Sequence, residues 1–290
     1  MPEGVAGRAG NAAAPMPMPV LALLAAMVST YLGAAIAKHL FPQVGSQGVT
    51  ALRVGLAACL LLAWYKPWRI PLARKDLPNL LVYGLMLGCM NLLIYAAFAR
   101  IPIGIAVAIE VTGPLTVVLA ASRRVRDFAW LACAVFGLWL LLPLDAHAVD
   151  ALDPVGMLLA AGAALCWAMY IVFGKRVSTL QGGQAVAWGM LAAALFTVPV
   201  GFAHAGAALL APGILAAGLG VALLSSALPY SLEMAALKRL PRRVFGILVS
   251  ASPALSALAG WLVLGEQLLP VQWLAIALII AASAGAAASA

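Results

Sequence analysis

IPIGIAVAIEVTGP (101–114) and LPRRVFGILVSASP (240–253) share one proline frame: Pro102 and Pro114 stand twelve residues apart, and so do Pro241 and Pro253. Proline inside an apolar span gives up a backbone donor and crowds the preceding turn, so it is unusual there. Two such spans at corresponding places in two halves predict a duplicated membrane carrier with its site beside the broken helices.

The whole chain agrees with that reading. It is 65% hydrophobic and only 9% charged over 290 residues, where a soluble protein carries about 25% charged residues. A membrane helix needs roughly 20 apolar residues, and ten apolar stretches fit the chain, leaving short loops and no room for an extramembrane domain. They fall near 20–37, 47–65, 79–99, 104–121, 128–144, 155–173, 185–203, 213–236, 244–264 and 271–288. Residues 1–18, rich in Ala, Gly and Pro, read as a disordered cytoplasmic lead-in. The first span is too long for a signal-peptide core and lacks a clean cleavage context. The fold class expected is all-α integral membrane, with ten transmembrane helices.

Basic residues set the orientation. With the N-terminus in the cytoplasm, Arg8, Lys66, Arg69, Arg74, Lys75, Arg123, Arg124, Arg126, Lys175, Arg176, Lys238, Arg239, Arg242 and Arg243 lie inside. Of the 17 Lys and Arg, only Lys38 and Arg100 lie outside, and Arg53 lies within a span. Cytoplasmic loops carry such an excess, so both termini are expected inside. The net charge of +8 is accounted for by these loops, which removes the motive for a nucleic-acid partner.

The halves also align upstream of the prolines. Lys38 to Gln47 matches Lys175 to Gln184, and Arg100-Ile-Pro matches Arg239-Leu-Pro, at nearly equal offsets. Five helices per half is odd, so the second half runs through the membrane inverted. The expected division is 19–146 and 147–290, two inverted five-helix repeats. Inverted repeats let one site face either side as the halves rock.

Few polar side chains remain at membrane depth, where charge is costly and functional by default. Glu110 in the fourth span and Arg53 in the second both sit about 10 Å below the outer surface, at roughly 1.5 Å per residue. They either pair structurally or bind the two ends of a zwitterion. Glu110 suits a substrate ammonium or a proton that is taken up and released as access alternates. Thr112, Gly113 and Pro114 predict a local opening of the fourth helix, and Ser250, Ser252 and Pro253 of the ninth. Irregular backbone is tolerated there if it faces a water-filled cavity; hydroxyls bonded back to their own helix are the alternative. Asn91, Tyr95, Trp167 and Tyr170 are inward candidates at mid-depth, with helix packing the alternative for each aromatic. Pro229 and Tyr230 lie deeper and shape a cavity, while Glu233 reads as an interfacial ion pair with Lys238 or Arg239.

Cys59, Cys89, Cys133 and Cys166 lie within spans and form no C-x-x-C pair. The three histidines are scattered without metal-ligand spacing. No cofactor is expected. GKR (174–176) lacks the spacing of a phosphate-binding loop, and no H-E-x-x-H or G-x-S-x-G occurs. Gly84-x-x-x-Gly88 and AASAGAAASA (281–290) suit close helix contact.

VGSQGVTALRVGL (44–56), IPIGIAVAIEVTGPL (101–115), SSALPYSLEMAALKRLP (225–241) and LGEQLLPVQWLAIALIIAAS (264–283) carry a family signature. Through them, over about 20–288, the chain resembles the drug/metabolite transporter superfamily, the EamA-type ten-helix carriers. It is most similar to the bacterial inner-membrane threonine and homoserine exporters. The resemblance implies inward termini, a central cavity between the repeats, and export of small neutral amino acids driven by the proton gradient. One position departs: relatives often carry an acidic residue just before the ninth-helix proline, and here it is Ser252. That leaves Glu110 as the main carboxylate. A carrier of the same fold for another metabolite or drug-like amine is the alternative. A membrane enzyme would need a nucleophile–base or metal constellation, and a structural subunit would need neither buried charge nor broken helices.

Overall fold

A computed structural model describes residues 17–120, 125–140, 152–177, 180, 183–237, 239–240, 245 and 248–289. The expected lead-in lies outside these residues except for its last two, which open the first helix. In chain order the helices are α1 (Pro17–Lys38), α2 (Phe41–Tyr65), α3 (Leu77–Phe98), α4 (Ile103–Glu110), α5 (Thr112–Ala120), α6 (Val125–Leu140), α7 (Pro154–Val177), α8 (Gln184–Ala205) and α9 (Pro212–Ala222). A π-helical turn, Leu223–Ala227, then leads into α10 (Leu228–Leu237), followed by α11 (Ser252–Leu264) and α12 (Pro270–Ser289). There is no strand among the described residues.

Among the described residues six helical stretches are long and apolar enough to cross a membrane: Met18–Lys38, Phe41–Tyr65, Arg74–Phe98, Pro154–Val177, Gln184–Leu210 and Pro212–Glu233. Four shorter apolar helices, Ile103–Val117, Phe128–Leu140, Ser252–Leu264 and Pro270–Gly285, occupy the remaining expected segments. Proline marks where many of them begin. Pro42, Pro78, Pro154, Pro212, Pro253 and Pro270 all sit in a first turn, where an N–H has no intrahelical partner to lose.

The helices pack as a bundle in which α2 lies along α8, and α3 along both α7 and α8. Helix α1 lies along α10, the π-turn and α11; α2 also meets α9 and the π-turn. Helices α4 and α5 pack on α7, α4 on α11, and α6 on α12. Small residues permit the closest approaches. At Gly84 a Cβ would run into the Ala192 side chain and approach the Gly189 carbonyl at 2.7 Å, so α3 and α8 touch backbone to backbone.

Both proline frames interrupt helix. The fourth segment breaks at Val111, between α4 and α5, three residues before Pro114. Pro114 has no N–H for the carbonyl four residues back, that of Glu110. In the ninth segment Ser250 and Ala251 form a turn before α11, and Pro253 has no N–H for the Val249 carbonyl. Residues 241–244 and 246–247 of that second stretch lie outside the described residues.

Charges gather at one end of the bundle. Lys38 Nζ donates to Glu266 Oε1 at 2.6 Å, and the Ile103 N–H, in the first turn of α4, donates to Glu266 Oε2 at 3.0 Å. One carboxylate thereby ties the end of α1, the start of α4 and the loop after α11. Beside it Arg100 Nη1 donates to Asp153 Oδ2 at 2.9 Å. That bond, with the Val155 N–H on the other oxygen, holds the Asp153 carboxyl below its ordinary range.

Candidate functional site

A cavity lies within the bundle, enclosing about 850 Å³ of atom-free space including its open mouth. Binding cavities for small molecules run from roughly 300 to 1,000 Å³. Its walls come from both halves of the chain: Tyr31 of α1, Arg53 of α2, Asn91 and Tyr95 of α3, and Glu110 of α4 face Trp167 and Tyr170 of α7, Tyr230 and Glu233 of α10, and Ser252 of α11.

Arg53 is 5% exposed and Glu110 7% exposed, and both line this one cavity. They do not bond to each other. Arg53 Nε donates to Ser226 Oγ at 2.7 Å and Nη2 to the Ser225 carbonyl at 2.7 Å, with Cζ 4.9 Å from the centre of the Tyr95 ring. Glu110, the last residue of α4, has no hydrogen-bond or ion-pair partner among the described residues. It stands at a helix C-terminus, where the backbone dipole disfavours negative charge. Nothing in the local packing therefore accounts for this carboxylate.

The cavity wall includes a second carboxylate. The sequence pattern pairs Glu233 with Lys238 or Arg239 at the interface. The structure instead puts Glu233 on the cavity, without an ion pair to Arg239; Lys238 lies outside the described residues.

Of the other candidates, Asn91, Tyr95, Trp167, Tyr170, Tyr230 and Ser252 reach the cavity. Asn91 Nδ2 donates to the Leu87 carbonyl at 2.7 Å and faces Tyr230. Tyr170 stacks on Tyr83 with ring centroids 4.7 Å apart and hydroxyls 3.1 Å apart. Tyr95 packs between Phe41 and Phe98, and its buried hydroxyl has no partner among the described residues. Leaving such a donor unmet costs about 1–3 kcal/mol, so a ligand oxygen or water is its natural complement. Thr112, Pro114, Ser250 and Pro253 are not in the cavity wall. The Thr112 hydroxyl bonds back to the Ile109 carbonyl at 2.6 Å; Ser250 and Pro253 are buried at the second helix break.

Three residues that shape the site escape a reading of the sequence. Tyr31 lines the cavity beside Ser252, and Ser225 and Ser226 hold Arg53 from the π-turn. Each looks like an ordinary residue of an apolar helix. Among the described residues no three of His, Cys, Asp and Glu are grouped to hold a metal ion.

Known proteins give the family. Residues 154–287 match the EamA-like transporter family. The threonine/homoserine exporter RhtA of Escherichia coli strain K12 is 52% identical over 93% of this chain and 92% of its own length. The exporter of the same name from Salmonella typhimurium strain LT2 is also 52% identical, with the same coverage. The uncharacterised inner membrane transporter YedA of E. coli K12 is 29% identical over 87% of this chain and 84% of its own. One crystal structure, at 22% identity, superposes with a TM-score of 0.63 over 92% of this chain and 95% of the other, a likeness of fold. The chain belongs to the EamA-like transporters of the drug/metabolite transporter superfamily, RhtA type.

Proposed function

We propose that this protein is a secondary exporter of small neutral amino acids, L-threonine and L-homoserine above all, working by alternating access in the bacterial inner membrane. The substrate pair comes from the two exporters that are 52% identical over nearly the whole chain. The observation that carries the mechanism is the meeting of Arg53 and Glu110, unbonded to each other, in one cavity walled by both halves. Arg53 takes the substrate carboxylate, helped by the unmet Tyr95 hydroxyl. Glu110 takes the ammonium or the coupling proton, and Ser252 meets the side-chain hydroxyl. The proton gradient is the driving force.

The packing pattern supports two inverted five-helix repeats, 19–146 and 147–290, with both termini inside. Exchange the halves, so that α1, α2, α3, α4–α5 and α6 trade with α7, α8, α9–α10, α11 and α12. The contact of α1 with α10 then becomes that of α7 with α3, α2 with α9 becomes α8 with α3, and α1 with α11 becomes α7 with α4–α5. Three further contacts, α2 with α8, α4 with α11 and α6 with α12, map onto themselves. On this mapping Pro114 and Pro253 are the paired breaks, and the cavity between the halves is what rocking exposes to each side.

Overproduction in a bacterium lacking its own exporter tests the substrate. It raises tolerance to external threonine and homoserine and lowers their retention in preloaded cells. Unchanged tolerance and efflux, with the protein present in the membrane, removes the assignment and leaves the carrier fold. A second reading, export of a small organic amine, has its own support. Two carboxylates against one guanidinium, ringed by Tyr31, Trp167, Tyr170 and Tyr230, suit a cation that also binds aromatic faces. A panel of labelled amino acids and amines in proteoliposomes separates the two.

A further inference from the structure

We propose that Ser226 is a positioning residue for substrate. With the Ser225 carbonyl, it grips one edge of the Arg53 guanidinium and aims the other at the cavity. This rests on Arg53 being the group that meets the substrate's carboxylate.

The grip depends on a local failure of the helix. In the π-turn the Leu228 N–H donates to the Leu223 carbonyl, one residue further back than an α-helix would use, so it is lost to Leu224. One step on, Pro229 has no N–H to give the Ser225 carbonyl. Two backbone acceptors are thus released inside the membrane, where an unmet polar group is expensive. Both are taken by side chains. Ser29 Oγ of α1 donates to the Leu224 carbonyl at 2.6 Å, and Arg53 Nη2 of α2 donates to the Ser225 carbonyl at 2.7 Å. Gly33 lets α1 come this close: a Cβ there would stand 2.9 Å from the Ser225 Cβ and 3.0 Å from its N.

Arg53 Nε completes the contact on Ser226 Oγ at 2.7 Å. Nε and Nη2 form the side edge of the fork. No other hydrogen bond to Arg53 exists among the described residues, so its end, Nη1 with the second hydrogen of Nη2, stays available. That end is a bidentate match for a carboxylate. The guanidinium plane is fixed from below by Tyr95, 4.9 Å away. A guanidinium held on one edge and one face presents its end in one orientation, which spares the bound state most of the side-chain entropy of a free arginine. Without Ser226 the guanidinium keeps its charge and one anchor but loses its aim.

Purified protein in liposomes, assayed by counterflow of labelled L-threonine, tests this with S226A, S226T and R53Q. Losing one charge-assisted bond predicts that S226A raises the half-saturating threonine concentration about tenfold, with the maximal rate kept. S226T, which keeps the hydroxyl, returns it to within about threefold of wild type on the same scale. L-threoninol, which has the ammonium and hydroxyl but no carboxylate, competes equally well against wild type and S226A. If S226A does not fold, S226C takes its place with the same expectation. An unchanged threonine requirement in S226A, while R53Q abolishes counterflow, overturns the role of Ser226 alone. Equal weakening of threonine and threoninol also overturns it, because that is a general structural loss. If wild type shows no threonine counterflow, the amino-acid reading falls and this inference falls with it; if R53Q leaves counterflow intact, threonine is carried without Arg53, and this inference falls alone.

Discussion

Glu110 and Arg53 are nearly buried within membrane segments, where an ionisable side chain costs roughly 3 kcal/mol by insertion scales. Glu110→Gln keeps size and hydrogen bonding but removes charge and titration. The expected outcome is loss of gradient-driven threonine export with the protein inserted and folded, measured in energised vesicles. Full export at every pH makes Glu110 a packing residue. Arg53→Lys keeps the charge but not the fork, and is expected to weaken threonine about tenfold in counterflow. Glu233→Gln removes the second carboxylate, so it is expected to weaken competition by simple amines more than competition by threonine. Equal effects on both leave Glu233 without a role in charge selection. Arg53 and Glu110 are legible in the sequence because a charge inside an apolar run stands out, and their shared depth follows from counting residues. Glu233 is not, because Lys238 and Arg239 follow it closely. Five residues on a helix is a rotation of about 140° from the starting face, unlike the three- and four-residue spacings that bring side chains together.

At the scale of elements, helix contacts follow from small residues and breaks from prolines. Gly84→Ala places a methyl against Ala192 where no space exists, and overpacking of this kind costs about 1–3 kcal/mol. The expected result is a lower melting temperature in detergent, partly restored when Ala192→Gly is added. A melting temperature unmoved by Gly84→Ala means that the two helices are not in backbone contact. Glu266→Ala leaves Lys38 and the Ile103 N–H without their partner. It should destabilise more than Asp153→Ala, because the Arg100–Asp153 pair is more exposed and exposed pairs contribute little. A melting temperature for Glu266→Ala equal to that of wild type excludes a structural role for the Glu266 junction. The proline frames at 114 and 253 show in the sequence because proline acts on its own helix through sterics and a missing donor. The π-turn does not show. Leu223-Leu-Ser-Ser-Ala reads as ordinary apolar helix, and what holds it open, Ser29 and Arg53, comes from 195 and 172 residues away.

At the scale of the molecule, two patterns are independent of any single site. One is the exchange of packing contacts between the halves, which needs tertiary structure to be seen. The other is charge, which needs only the sequence. Fourteen of the 17 Lys and Arg fall on one side when ten spans alternate, and two on the other. A missed or surplus span would scramble that division, since every later loop would change sides. Lys38 and Arg100, the two basic residues on the other side in that count, are both held in ion pairs, to Glu266 and Asp153. Basic loops resist translocation and set which end stays inside. A reporter enzyme that folds only outside the cytoplasm should therefore be active when fused in the 145–153 stretch and inactive when fused after Arg124. A reporter that works only in the cytoplasm should give the reverse. Activity of the first reporter after Arg124 turns the molecule over, placing Glu266 and Lys38 at the cytoplasmic face and the termini outside. Activity at both positions breaks the count of ten spans itself.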